Sequence, residues 1–483
     1  MNQIEEAITT LPKLTPRTSA WMHEIAGNKL VQQQLLAKYG SPVNLHELNS
    51  FAKNTEAYQE VLDRLGVQHL IFYARKANKS KSLVKKAKEI GIGVDTASFN
   101  ELKQSLDLGV SNDRLVTTAA IKNDALLRLA ILHEVVIILD NEDECRAVAQ
   151  MAAQLNKKAI VGFRVSGFYH AGKKLYSRFG FDIDKVTDFI TTHIGWDKEF
   201  GNLEYRGLHF HLNGYSITQR GEALHQMLEI AAQLKAEKFE TLFIDIGGGF
   251  LMNYLEDEAQ WNDFQSYLKE AVQSKKPPIT FQNQGLGFEM IDDKLKGALA
   301  TYPYYNSIHG PQFLEKILTH TNFEQKTTAA RLIAQKIQLR MEPGRSLLDQ
   351  VGLTMAHVVF RKTDSEGSLL IGLEMNMSQM MSSSADFLLD PIVIHQNSKE
   401  EAPVEGYFVG AYCLERDVLL KRKITFKQKP AIGDVVIFVN TAGYMMHFFE
   451  TEAHLFDLSK NLSFESSTQQ TIIDDFIDDT LIH

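Results

Sequence analysis

Eight short runs rich in β-branched and apolar residues recur over the first 342 residues of the chain. They are HLIFYA (69–74), IGVD (92–95), RLVTTA (114–119), EVVIILD (134–140), AIVGFRV (159–165), GLHFHL (207–212), TLFIDI (241–246) and KIQLRME (336–342). Helical patterns such as SLVKKAKEIG and ALLRLAILH lie between most of them. Strands that alternate with helices form βαβ units and a parallel sheet. Eight such strands close a (β/α)8 barrel, whose active site lies at the C-terminal strand ends. The predicted fold class is therefore α/β, a TIM-like barrel.

The pattern changes after Arg345. SLLIGLEM (368–375), ITFKQ (424–428) and DVVIFVN (434–440) have no long helices between them. That reads as a mostly antiparallel β domain. Three parts are expected: an N-terminal segment, 1–44, associated with the β domain; a barrel, 45–345; and the β domain, 346–483. The tail TQQTIIDDFIDDTLIH is acidic and amphipathic, a surface helix or a frayed end.

Composition narrows the function classes. Lys+Arg number 51 against 60 Asp+Glu, a formal net charge of −9. A broad nucleic-acid surface needs a basic face, so none is expected. Two cysteines, Cys145 and Cys413, are too few for a disulfide scaffold and suit a reducing compartment. The N-terminus has no apolar core, and no run approaches the roughly 20 apolar residues of a membrane span. A cytoplasmic protein without membrane contact is expected.

The strand ends carry the chemistry. The first ends near Lys76, the second at Asp95, the fourth at Asp140 and the fifth at Arg164. The sixth ends at His211, the seventh at Gly247-Gly248-Gly249, and the eighth at Glu342, with Arg345 just beyond. Charge at a strand end is also what a solvated loop shows, and Asp140 fits that reading equally well. Burial lowers the pKa of an amine such as Lys76, which imine formation needs; a snorkelling surface lysine is the alternative. Glycines let backbone N–H groups approach an anion, and Arg345 offers a planar donor for phosphate oxygens. Glu342 beside them could pair with a protonated heterocyclic nitrogen. A lysine, a phosphate cradle and an acid for a pyridinium are the requirements of pyridoxal phosphate. His209 and His211 share a strand face. A metal pair is one reading, but no third ligand stands at convincing spacing. An imidazole stacked on a flat cofactor fits better, and no metal is expected.

These residues fall in ordered motifs: YARKAN (73–78), GVDTASFNEL (93–102), SRFG (177–180), HFHL (209–212), DIGGGF (245–250), EPGR (342–345), GAYCLERD (410–417) and AGY (442–444). As a set they resemble the fold-type III pyridoxal-phosphate decarboxylases, the group of diaminopimelate, ornithine and arginine decarboxylases, of which this chain looks like a divergent member. The resemblance runs from about residue 38 to residue 446. It implies an alanine-racemase-like barrel and an amino-acid α-decarboxylase working through a Lys76 aldimine. Asp95 and Arg164 would line the cofactor, and His211 would stack on its ring. Gly247, Gly248, Gly249, Arg345 and Tyr444 would hold the phosphate, and Glu342 the ring nitrogen. Cys413 would reach in from the partner of a homodimer with shared active sites, and Arg178 and Asp417 match positions that pair across that interface. An amino-acid racemase is one alternative, although racemases place arginine at the ring nitrogen. A non-catalytic pyridoxal-phosphate-binding protein is another, although such barrels lack the β domain and the cysteine motif.

The chain also departs from the pattern. The family has a Gly-Ser pair after the stacking histidine; here Leu212-Asn213-Gly214-Tyr215 follows, so a phosphate-binding serine is missing or displaced to Ser216. The family's acid after the cysteine, which contacts the substrate's distal amine, is Leu414 here. Glu415 and Asp390 are left as candidate substrate contacts. The segment between Gly249 and Glu342 is longer than expected and contains the aromatic run TYPYYNSIHG (301–310), a lid, an added surface or a packing element.

Overall fold

The computed structural model describes residues 11–382, 387–399, 401–466 and 477–479. The chain forms two compact units: residues 51–251 with 308–347, and residues 1–50 with 252–307 and 348–483.

The first unit is the barrel. Its strands are β1 (His69–Ala74), β2 (Gly93–Thr96), β3 (Leu115–Thr117), β4 (Val136–Leu139), β5 (Ala159–Ser166), β6 (Leu203–His209), β7 (Phe243–Asp245) and β8 (Gln338–Met341). Each lies within or overlaps one of the eight runs. All neighbours pair in parallel, β8 with β1 and β5 with β6, so the sheet closes on itself. The strands read as continuous apolar runs because both faces are covered. Phe72, Val116, Ile138 and Phe243 pack as one cluster inside the sheet. Gly93 makes room for this: a Cβ there would lie 2.4 Å from the Phe72 ring. The helices start on side-chain caps, with Asn123, Asn141 and Ser216 accepting from Leu126, Glu144 and Gln219 N–H.

The second unit is mostly antiparallel. The long strand Gly352–Thr363 runs antiparallel to Val43–Glu47, Leu369–Leu373 and Val435–Val439. The helices Ala20–Gly27 and Lys29–Tyr39 place Trp21, Ile25, Leu35 and Leu36 in its core with Leu45, Leu353, Val435 and Leu462.

The compact units divide the chain otherwise than expected: residues 45–50 and 252–307, expected in the barrel, cluster with the second unit, and 346–347 cluster with the barrel. The aromatic run explains the placing of 252–307. Tyr302 Oη accepts from Met252 N–H at 2.7 Å, and Tyr304 Oη accepts from Leu388 N–H at 3.3 Å. The Tyr254, Tyr302 and Tyr304 rings pack within 5.6–6.1 Å of one another. The run is therefore a packing element of this unit. Most of the acidic tail lies outside the described residues; its Ile477–Asp478 is a strand antiparallel to Lys460–Phe464. Among the described residues, no helix is long and apolar enough to cross a membrane.

Candidate active site

The turn after β1 separates two neighbouring cations. Arg75 points into the helix Phe99–Asp107, donating to Glu101 O at 2.8 Å and bonding Gln104. Lys76 turns the other way, and its Nζ lies 3.0 Å from Asp95 Oδ2 at the end of β2. The second Asp95 oxygen accepts from Thr118 Oγ1 at 2.5 Å. Asp95 is fully buried, and burial, then the Glu342 charge, raise its pKa against the pull of Lys76 and Thr118. The Lys76 side chain keeps 35% of its surface exposed, so the pair opens toward solvent on the amine side.

Across the same barrel mouth stand three buried groups: His209 at the end of β6, Asp245 at the end of β7 and Glu342 after β8. One side-chain ligand atom from each lies within 4.8 Å of the others. His209 Nε2 is 3.2 Å from Glu342 Oε1, yet neither atom has a partner of hydrogen-bonding geometry. Burial, aided by Arg164, holds His209 neutral. Burial, then Glu342, raises Asp245 well above the carboxylate range. Burial raises Glu342 too, opposed by Lys76, Arg164 and a hydrogen bond from Asp245. Asp245 was not singled out from the sequence, although it ends a strand run and opens DIGGGF. The sequence offers no third ligand at convincing spacing for a His209–His211 pair; the fold sets His209 beside Asp245 and Glu342, which lie far from it in sequence, and His211 is not one of the group.

His211 faces the glycine loop. Its Nδ1 accepts from Gly248 N–H at 3.2 Å. Burial, then Arg220, keeps it neutral, so the remaining ring proton sits on Nε2. Gly247 N–H donates to Asp245 Oδ1 at 2.9 Å, and Glu342 N–H donates to Gly247 O at 2.9 Å. The loops after β6, β7 and β8 are thereby stitched together. Gly247 and Gly249 have φ of +64° and +81°, a region that favours glycine. Arg164, at the end of β5, stacks on Phe179 at 4.3 Å, and Arg178 stacks on the same ring at 3.8 Å. Asp140 accepts from Gly180 N–H at 3.0 Å, which ties down the loop carrying Phe179. Arg345 lies half-buried in the turn after β8.

The other candidates lie in the second unit. Cys413, Leu414 and Glu415 are exposed on one turn. Tyr444 has φ +73° and meets the Phe448 ring edge-on at 5.7 Å. Asp390, expected to contact substrate, is instead ion-paired with Arg422 and accepts from Leu14 N–H at 3.1 Å. Arg422 also donates to Pro12 O and Leu388 O, each at 3.0 Å, so Asp390 belongs to a latch on the N-terminal segment. Asp417 accepts from Met377 and Tyr412 N–H, each at 2.7 Å, and so holds its own unit's backbone rather than standing open for Arg178. Ser216 Oγ accepts from Gln219 N–H at 3.2 Å as a helix cap.

These features define a barrel enzyme with an amine, an acid cluster and a glycine cradle at its strand ends. Residues 48–289 match the pyridoxal binding domain of the pyridoxal-dependent decarboxylases, and the chain belongs to that family. It is a pyridoxal-phosphate-dependent decarboxylase built as a closed barrel with a mostly antiparallel second unit. Over 423 residues, 86% of each chain, it is 29% identical to the uncharacterized protein y4yA of Sinorhizobium fredii. It is 26% identical to the diaminopimelate decarboxylase of Aquifex aeolicus over 262 residues, which are 52% of this chain and 60% of that enzyme. The diaminopimelate decarboxylase of Helicobacter pylori, solved with L-lysine, superposes with a TM-score of 0.66 at 17% identity, covering 93% of this chain and 95% of that one.

The residues present fit the cofactor. Glu342 Oε1 is a buried acceptor without a protein partner, as a protonated ring nitrogen requires. The glycine loop is a cradle that side chains would fill: a Cβ on Gly247 would lie 2.8 Å from His211 Nδ1.

Proposed function

We propose that this enzyme removes the α-carboxylate of an amino acid, or of an amino-acid conjugate, as carbon dioxide, with Lys76 as the residue that carries the cofactor. The observation that supports this most is the placing of Lys76, Asp95 and Glu342 in one barrel mouth, with the amine 3.0 Å from a buried carboxylate. Pyridoxal phosphate, when bound, supplies an electron sink for the electron pair left as carbon dioxide departs.

The protein's part is to bind, orient and move protons. Asp95 orients the Lys76 amine and accepts from it. Glu342 holds a proton at the cofactor's ring nitrogen, where its raised proton affinity suits the sharing of that proton. His211, neutral and fixed by Gly248 N–H, offers a flat face for stacking. Gly247, Gly248, Gly249 and Arg345 would hold the phosphate, and Arg164 lines the mouth as a cation. Cys413, exposed in its own chain, returns a proton to the substrate α-carbon in the partner subunit of a homodimer. Glu415 on the same turn contacts the far end of the substrate. A cytoplasmic setting, read from the scarcity of cysteine, belongs to the same proposal.

The test is a panel of amino acids and amino-acid conjugates incubated with purified protein and pyridoxal phosphate. Carbon dioxide release from at least one substrate, abolished by Lys76→Ala, is expected. Release unchanged in Lys76→Ala would remove Lys76 from its role.

A further inference from the structure

Arg220, in the helix Ile217–Ala236, is a buried guanidinium with 2% of its surface exposed. Among the described residues it forms no ion pair. Its two Nη groups donate to main-chain carbonyls of two strand-end loops, while its Nε has no hydrogen-bond partner. Nη1 donates to Gly248 O at 2.9 Å, and Nη2 donates to Leu212 O and Gly214 O, each at 3.0 Å.

A trans peptide unit is planar, so its C=O and the following N–H point in opposite directions. Anchoring those three carbonyls on one guanidinium turns the N–H groups of Asn213, Tyr215 and Gly249 away from it. Among the described residues, the N–H groups of Asn213 and Gly249 donate to no protein acceptor. The guanidinium also lies directly against the glycine loop: a Cβ on Gly249 would stand 2.5 Å from Nη2. A buried charge is costly without a counter-ion. Outward N–H groups backed by a buried cation form an anion site.

We propose that Arg220 is the positioning residue of the cofactor's phosphate site, fixing the peptide planes of both loops with N–H outward and supplying the buried positive charge that a phosphate dianion balances. The proposal rests on the cofactor-site reading above and adds to it a residue that lies on a helix rather than at a strand end.

The test compares two ligands that differ only in the phosphate ester, pyridoxal phosphate and pyridoxal. Their dissociation constants are measured on the apo forms of the wild type, Arg220→Gln and Arg220→Lys. The wild type is expected to prefer the phosphorylated ligand. Arg220→Gln is expected to lose about tenfold or more in pyridoxal-phosphate affinity, the size of a lost bond network around a charge, with pyridoxal affinity nearly unchanged. Arg220→Lys keeps the charge but not the fork, so its preference should lie between the two. Equal losses for both ligands, or an unchanged preference, would overturn the role of Arg220 while leaving the cofactor site intact. A wild type without any preference for the phosphate would contradict the site itself, and the proposal with it. If Arg220→Gln does not fold, Arg220→Lys decides: a reduced preference supports the role, and a wild-type preference overturns it.

Discussion

Gly248→Ala probes how tightly the glycine loop is pinned. A Cβ there would stand 2.5 Å from the carbonyl oxygen of Glu342 and 3.9 Å from His211 Cε1. Close C···O contacts fall near 3.3–3.6 Å, so one side must retreat by about 1 Å. Neither side is loose. Glu342 N–H donates to Gly247 O at 2.9 Å, and Pro343 O accepts from Ala74 N–H at 3.2 Å. Gly248 itself is held at both ends, by His211 Nδ1 and by Arg220. Overpacking of this kind costs about 1–3 kcal/mol. At about 1.4 kcal/mol per factor of ten, that is roughly five- to a hundredfold in an equilibrium constant. The loss should fall on cofactor affinity, because the retreating loop carries the cradle and His211. Pyridoxal-phosphate titration of the apo variant, with thermal melting of the apo forms as the control, measures it. Affinity reduced about tenfold with a shift of only a few degrees in Tm is expected. Wild-type affinity together with wild-type Tm would show that the loop yields freely, and the pinning argument would fail.

Three further outcomes are expected. Mixing Lys76→Ala with Cys413→Ala chains should restore about a quarter of wild-type activity, because half of randomly reassorted dimers are mixed and each has one intact site of two; no recovery after confirmed reassortment would mean that each site is built within one chain. Diaminopimelate should be a poor substrate despite the likeness to its decarboxylases: Leu414 carries no charge, no arginine lies between Lys362 and Glu415, and a buried carboxylate without a partner gives discrimination of about a hundredfold; diaminopimelate ranking first by kcat/KM would refute this. Burial pushes Asp349 up from 3.8 to about 6, against Arg17 and Gln350. The folded state therefore favours its protonated form, a contribution complete below pH 3.8 and lost as pH rises through about 6. Asp349→Asn should gain on the wild type between pH 4 and 7, by up to about 3 kcal/mol in denaturant unfolding; a difference that does not change with pH would count against it.

The barrel was legible because its strands are covered on both faces and read as continuous apolar runs, each closed by a residue of distinct chemistry. Lys76, Asp95 and Glu342 could be picked out for the same reason, since barrel topology brings strand ends together whatever their spacing in sequence. Asp245 carries the same signal, but it is followed directly by three glycines, after Ile246, whose anion-binding pattern marks the same strand end more strongly. Membership of 252–307 was not legible, because an aromatic run announces burial without naming what covers it. Asp390 was misread because its partner Arg422 lies 32 residues away and only the fold pairs them. Arg220 gave no sign at all. It lies in an ordinary helical stretch, and its partners are main-chain carbonyls, which no side-chain pattern records.

The central claim is that Lys76, held by Asp95, carries the cofactor. Borohydride reduction of the purified, pyridoxal-phosphate-loaded protein followed by peptide mapping tests it most directly. The account predicts a yellow protein whose colour is lost on reduction, with the pyridoxyl label on Lys76. A label on another lysine, such as the neighbouring Lys79, would contradict it.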